Sequence, residues 1–187
     1  MPANVPTPFV CRTLNAHILN AVIVTIIKKS FRDGISALIW MNRDIMIALI
    51  HQVIDLINRN DDMFTVVPED SFDHGMVFVV GSIDGDLINL LTLLKNKMPP
   101  MAYYVFLGDY LDCYEPTRID ALLLLLSLKL RFPRHICLFR GHYETYEMCK
   151  AIGFDRAIND DRLFQSFIIL FEHLSIVGLF GSTLILN

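Results

Sequence analysis

The chain has 187 residues, 53% of them hydrophobic and 19% charged, with a formal net charge of −4. That composition excludes a disordered tail, a linker or a coiled-coil rod, all of which need a polar or charged bias. A compact chain of this size buries roughly 70% of its unfolded surface, enough for a real core. There is no basic excess, so no footprint for nucleic acid is visible.

The uncharged stretches from Thr13 to Ile27 and from His173 to Asn187 fall short of the ~18–20 residues that span a bilayer, so no membrane span is expected. The N-terminus Met-Pro-Ala-Asn-Val-Pro has no positive region, which argues against a signal peptide. Cys11, Cys113, Cys137 and Cys149 show no Cys-x-x-Cys spacing. An intracellular setting, cytoplasmic or nuclear, is expected.

The first twelve residues hold three prolines and read as an irregular arm. Residues Asn15 to Lys29 read as a helix, and Arg32-Asp33-Gly34 as a turn. Trp40 is expected to pack in the core of this helical N-terminal segment. Residues 1–41 are taken as arm and helical segment, and residues 42–187 as a second unit. Asn42 can cap the next helix, with Asp44 in its first turn. Ile45, Ala48, Leu49, Val53, Leu56 and Ile57 then recur at helical spacing.

Beyond this helix the pattern changes. His74, beside Asp73 and Gly75, reads as a surface turn. Three apolar runs follow: Met76 to Val80, Tyr103 to Leu107 and Ile136 to Phe139. They alternate with helical stretches Leu87 to Lys97 and Arg118 to Phe132, the signature of βαβ units. The runs are continuously apolar, as strands buried on both faces should be. Asp161 to His173 reads as another helix and Thr183 to Leu186 as a last strand. The fold class is therefore α/β (α+β mixed), with a largely parallel or mixed sheet.

Ligands of open βαβ sheets bind beyond the carboxyl ends of the strands. Those ends carry Gly81-Ser82-Ile83-Asp84-Gly85, Gly108-Asp109-Tyr110-Leu111-Asp112 and Arg140-Gly141-His142-Tyr143-Glu144. Carboxylates and an imidazole delivered to one rim are the ingredients of a metal site. Asp residues after strands also serve as turn formers and caps, which remains the plain alternative for Asp84 and Asp112.

These three segments, with Tyr104 to Tyr110, Leu138 to Gly141 and Gly153-Phe154, resemble the phosphoprotein phosphatases. That family comprises the metal-dependent serine/threonine phosphatases of the calcineurin-like metallophosphoesterase superfamily. Its signatures run G-D-x-H-G, G-D-x-V-D-R-G and G-N-H-E, and the resemblance extends from about Asn42 to the last residue. It implies the N-terminal half of a β-sandwich flanked by helices, with a two-metal phosphoester hydrolase site at its rim.

The resemblance also implies residue roles, and this sequence departs from most of them. Ser82 and Asp84 stand where the family has the aspartate and histidine that bind the first metal. Asp109 keeps the bridging aspartate. His142 replaces a metal-binding asparagine. Tyr143 stands at the general acid, and Asp112 matches the aspartate that orients that acid. Cys113 replaces the arginine that grips phosphate; with no His or Lys beside it in sequence, it does not read as a catalytic thiolate. Two further metal-binding histidines and a second phosphate-binding arginine of the family fall beyond Asn187. Asp84, Asp109 and His142 are thus expected to hold at most one weakly bound divalent ion (Mn, Fe or Zn), or none.

Three readings of function follow. The first is a catalytically impaired pseudophosphatase that binds a protein partner through apolar surface left uncovered by the missing half. The second is a residual phosphatase acting on phosphoprotein (Ser/Thr) monoesters. The third is a truncated product without stable function.

Overall fold

A computed structural model describes residues 14–59, 65–67, 76–180 and 182–186. The proline-bearing arm and His74 lie outside the described residues. The N-terminal region is helical, with α1 (Ala16–Thr25) running directly into a π-helical segment, Ile26–Arg32. Asn15 caps α1, its side chain accepting from the Ile18 backbone N–H. The expected single helix to Lys29 thus continues three residues further with a wider turn. A short α2 (Ala37–Trp40) follows. Trp40 is half-buried against the core, and its indole N–H donates to the Ile35 carbonyl at 3.1 Å.

The helix α3 (Arg43–Asn58) begins at the expected cap, Asn42 Oδ1 accepting from the Asp44 N–H at 2.7 Å. Its stripe of Met46, Leu49, Ile50 and Val53 is buried and packs against α8 (Asp161–His173). Between them in sequence lie α4 (Leu87–Asn96), α5 (Asp120–Arg131), α6 (Tyr146–Ala151) and α7 (Phe154–Ile158).

Two three-stranded sheets are present among the described residues. One is wholly parallel, in the order β2 (Met76–Val80), β3 (Ala102–Phe106), β4 (Ile136–Leu138). The other is mixed: β1 (Thr65–Val67) pairs parallel with β5 (Val177–Phe180), which pairs antiparallel with β6 (Thr183–Leu186). A bridge from Phe139 to Ser175 links the two. The α/β class and the parallel sheet read from the sequence hold.

Strand pleating separates two environments. Tyr104, Phe106, Ile136 and Leu138 face the main core, while Val105, Cys137 and Phe139 form a second, smaller buried cluster on the other side. β3 and β4 are therefore buried on both faces, as their unbroken apolar sequence requires. β2 differs from that expectation. It is an edge strand among the described residues, and Met76, Val77 and Val79 are exposed. Its apolar run reads like a central strand, but one flank has no neighbour among the described residues to cover it.

The centre of the helical layer is α5, which touches α1, α3, α4 and β4. Every residue from Asp120 to Leu128 is buried. The leucine run Leu122 to Leu126 is thus a helix enclosed on all sides, and no described helix is long and apolar enough to cross a membrane. Its two polar members are satisfied. Asp120 Oδ1 accepts from the Ala37 N–H at 2.7 Å, and Ser127 Oγ donates to the Leu123 carbonyl. Lys129 curls its ammonium onto the carbonyls of Pro133 and Ile136 (3.0 and 2.7 Å). Leu125→Ala should cost about 2–5 kcal/mol, because no open space lets the helix collapse around the loss. Urea denaturation of the two proteins measures it.

Candidate functional site

The parallel register of β2, β3 and β4 sends all three strands out at the same end. The loops that follow are stitched together by backbone. The Ile83 and Asp84 N–H groups donate to the Asp109 carbonyl at 3.0 and 2.9 Å, and the Gly85 N–H donates to the Tyr110 carbonyl at 3.0 Å. Asp84 and Asp109 both take left-handed backbone conformations, with φ of 48° and 52°. Non-glycine residues there cost about 1–2 kcal/mol and persist only where surroundings fix them.

The second loop meets the third even more closely. A Cβ on Gly108 would fall on the Gly141 backbone, and one on Gly141 would fall on the Asp109 nitrogen. Only two glycines allow this approach. It brings three backbone N–H groups onto one side chain. Glu144 Oε2 accepts from Asp109 at 2.7 Å and from Gly141 at 2.9 Å, and Oε1 accepts from Tyr110 at 2.9 Å. Asp109 Oδ1 in turn accepts from the Tyr143 N–H at 3.1 Å.

Glu144 is buried. Burial pushes its carboxyl up to about 7, while the three N–H groups pull the other way and fall short. Tyr110 sits fully buried beside it, its hydroxyl donating to the Phe139 carbonyl at 2.8 Å.

The candidate residues occupy this rim as follows. Asp84 Oδ2 accepts from the Ser82 hydroxyl at 2.9 Å. Tyr143 is half-buried, and its phenol lies close to Cys113. Cys113 above all, then burial and the nearby carboxylates of Asp109 and Asp84, push the phenol up to about 12. The His142 imidazole is exposed, edge-on to the Tyr143 ring at 5.6 Å. Asp112 is buried, and it does not reach toward Tyr143 for a partner. Its Oδ1 accepts from the Tyr114 and Glu115 N–H groups (2.8 and 3.0 Å), and its Oδ2 pairs with Arg118 at 3.3 Å.

Asp84, Asp109, Tyr143 and Cys113 are thus neighbours, whereas Asp112 is drawn into its own loop. Among the described residues, no three His, Cys, Asp or Glu side chains gather into a group that could hold a metal ion. The donors at this rim do not assemble the compact oxygen and nitrogen cage that a firmly held divalent ion requires. A cleft of ≈ 370 Å³ opens beside Asp84, lined by Ser82, Asp86, Asn89, Leu90 and Arg118 among others.

Two contributors were not singled out by spacing. Glu144 was placed on the rim as one more carboxylate, while its clamp of three N–H groups is a tertiary product. Arg118 read only as a helix start, yet it holds both Asp112 and Glu115.

Comparison with known proteins bears on this geometry. No family model matches the chain. The chain is 30% identical over 114 residues to the serine/threonine-protein phosphatase PP1-delta of Caenorhabditis elegans, covering 58% of this chain and 37% of that protein. It is 42% identical over 81 residues to the serine/threonine-protein phosphatase 4 catalytic subunit of Saccharomyces cerevisiae, covering 42% of this chain and 25% of that protein. It is 32% identical over 108 residues to a protein phosphatase 2A catalytic chain of Dictyostelium discoideum, covering 55% of this chain and 34% of that protein.

A solved Saccharomyces cerevisiae protein serine/threonine phosphatase, described as similar to human phosphatase PP5, superposes with a TM-score of 0.75. It is 24% identical, and the match covers 88% of this chain and 53% of that one. That likeness shows the fold. The chain spans between a quarter and two-fifths of the length of these curated relatives. Its homologues are serine/threonine phosphatases of the phosphoprotein phosphatase family, as the three strand-end segments suggested.

The clamp makes a pH-dependent prediction. A carboxyl held near 7 in the fold and near 4.5 in the unfolded chain keeps its proton longer when folded. Between those values the native state binds more protons, so this group's contribution falls as pH rises from about 4.5 through 7. Glu144→Gln should lower stability by about 1–3 kcal/mol, since its amide offers N–H where acceptors are needed. It should also flatten the slope over that window. Urea titrations of both proteins across pH 4.5 to 8 read out the two effects.

Proposed function

We propose that this chain is a catalytically impaired, phosphatase-like module that acts by binding protein rather than by hydrolysing phosphoserine or phosphothreonine. The observation that carries the reading is the Tyr143–Cys113 pair. These two residues stand where the resemblance implies a proton donor and a phosphate-gripping arginine, and here they lie side by side. A phenol pushed to about 12 is a poor match for proton delivery near neutral pH, where a donor works best with a pKa close to the ambient value. A cysteine side chain offers none of the bidentate, charge-assisted bonds that an arginine gives to phosphate.

The rest of the rim supports the same reading. Asp112, the counterpart of the residue that would orient the donor, is held by Arg118 and two backbone N–H groups. Arg118 lines the cleft beside Asp84, but its guanidinium is shared between Asp112 and Glu115. Asp109 retains its place. With Asp84 and His142 it would hold one divalent ion weakly at most, and we route no step through such an ion. Loss of the acid alone costs about 10²–10⁴ in rate.

Purified protein assayed with p-nitrophenyl phosphate and a phosphoserine peptide, with excess manganese, is expected to show no turnover above buffer. Elemental analysis of the same sample should find well under one equivalent of manganese, iron or zinc. Hydrolysis that disappears in Asp109→Ala would instead establish a residual phosphatase and end the impaired reading.

A further inference from the structure

The inner side of α1 is buried, with Leu19 and Ile26 in the core beside α5. Large apolar side chains along this helical segment are nonetheless exposed. Val24 is 48% exposed and Phe31 46%, and Ile39 beyond the π-helical segment is 78% exposed. Ile18 is exposed as well. Interleaved with them are Lys28, Lys29 and Arg32, three exposed cations within five residues, opposed locally by Asp33. None of the three makes an ion pair among the described residues. Arg131 lies alongside, its Nε donating to Asn20 Oδ1 at 3.3 Å.

We propose that this face of α1 and its π-helical continuation docks flat on an anionic phospholipid bilayer. The argument is charge complementarity joined to apolar reach. A chain of net charge −4 concentrates cations beside exposed Val24, Phe31 and Ile39. Exposed apolar side chains rimmed by cations are what an interfacial helix inserts and what lipid phosphates attract. A screening length of about 8 Å confines the attraction to charges at the contact, so acidic residues elsewhere on the surface do not cancel it. No described helix can cross the bilayer, so the association is peripheral. The proposal does not depend on the phosphatase-like rim and leaves it free.

The full chain should co-sediment with vesicles of phosphatidylcholine and phosphatidylserine at low salt and release at high salt. Vesicles of phosphatidylcholine alone should bind it far less. Each cation contributes about fivefold in affinity, so the triple variant K28E/K29E/R32E should bind at least about a hundredfold more weakly. Phe31→Ser with Val24→Ser should weaken binding while leaving its salt dependence in place. These side chains are exposed, and an unchanged thermal melt of both variants checks that the fold survives. No binding to either vesicle, equal binding to both, or binding indifferent to charge reversal overturns the proposal. The last two outcomes would mark the face as a plain apolar surface suited to a protein.

Discussion

Glu144 is the joint on which the rim depends. One buried carboxyl receives the N–H groups of Asp109, Tyr110 and Gly141, and so ties the exit of β3 to the exit of β4. The approach is possible because Gly108 and Gly141 have no side chains to collide. Asp109, fixed in a left-handed conformation by this joint, then receives the first loop through its carbonyl and Tyr143 through its carboxylate. Three loops from three strands become one surface by backbone bonding, whatever side chains they carry.

That independence lets the rim keep its shape whatever side chains line it. The rim is held by glycines, backbone amides and Glu144. The residues that differ from the family signatures project from that scaffold without supporting it. Tyr143 lies beside Cys113, the Ser82 hydroxyl donates to Asp84, and Asp112 is satisfied within its own loop. No buried side-chain nitrogen or oxygen lacks a hydrogen-bond partner among the described residues.

The helical side of the molecule is governed by α5. A run of leucines enclosed by α1, α3, α4 and β4 ties the N-terminal segment to the parallel sheet in one continuous core. It also fixes which side of α1 is turned away from the protein, and therefore which residues meet the surroundings.

Much of this was legible in the sequence because it is local. Asn42 caps α3, Asp161–His173 is a helix and Met76–Val80 a strand, since caps and periodicity are set by near neighbours. The three strand-end segments pointed to their phosphatase homologues because glycines at fixed spacing record a backbone path. What the sequence could not carry was pairing across distance. That β2 is an edge among the described residues, that Asp112 turns to Arg118, that Glu144 is a clamp and that Tyr143 lies beside Cys113 all depend on segments roughly 6–35 residues apart arriving at one place. Spacing determined which chemical groups would be delivered to the rim; only the packed chain decided which of them would face each other, because that choice is made by loop closure and burial rather than by neighbouring residues.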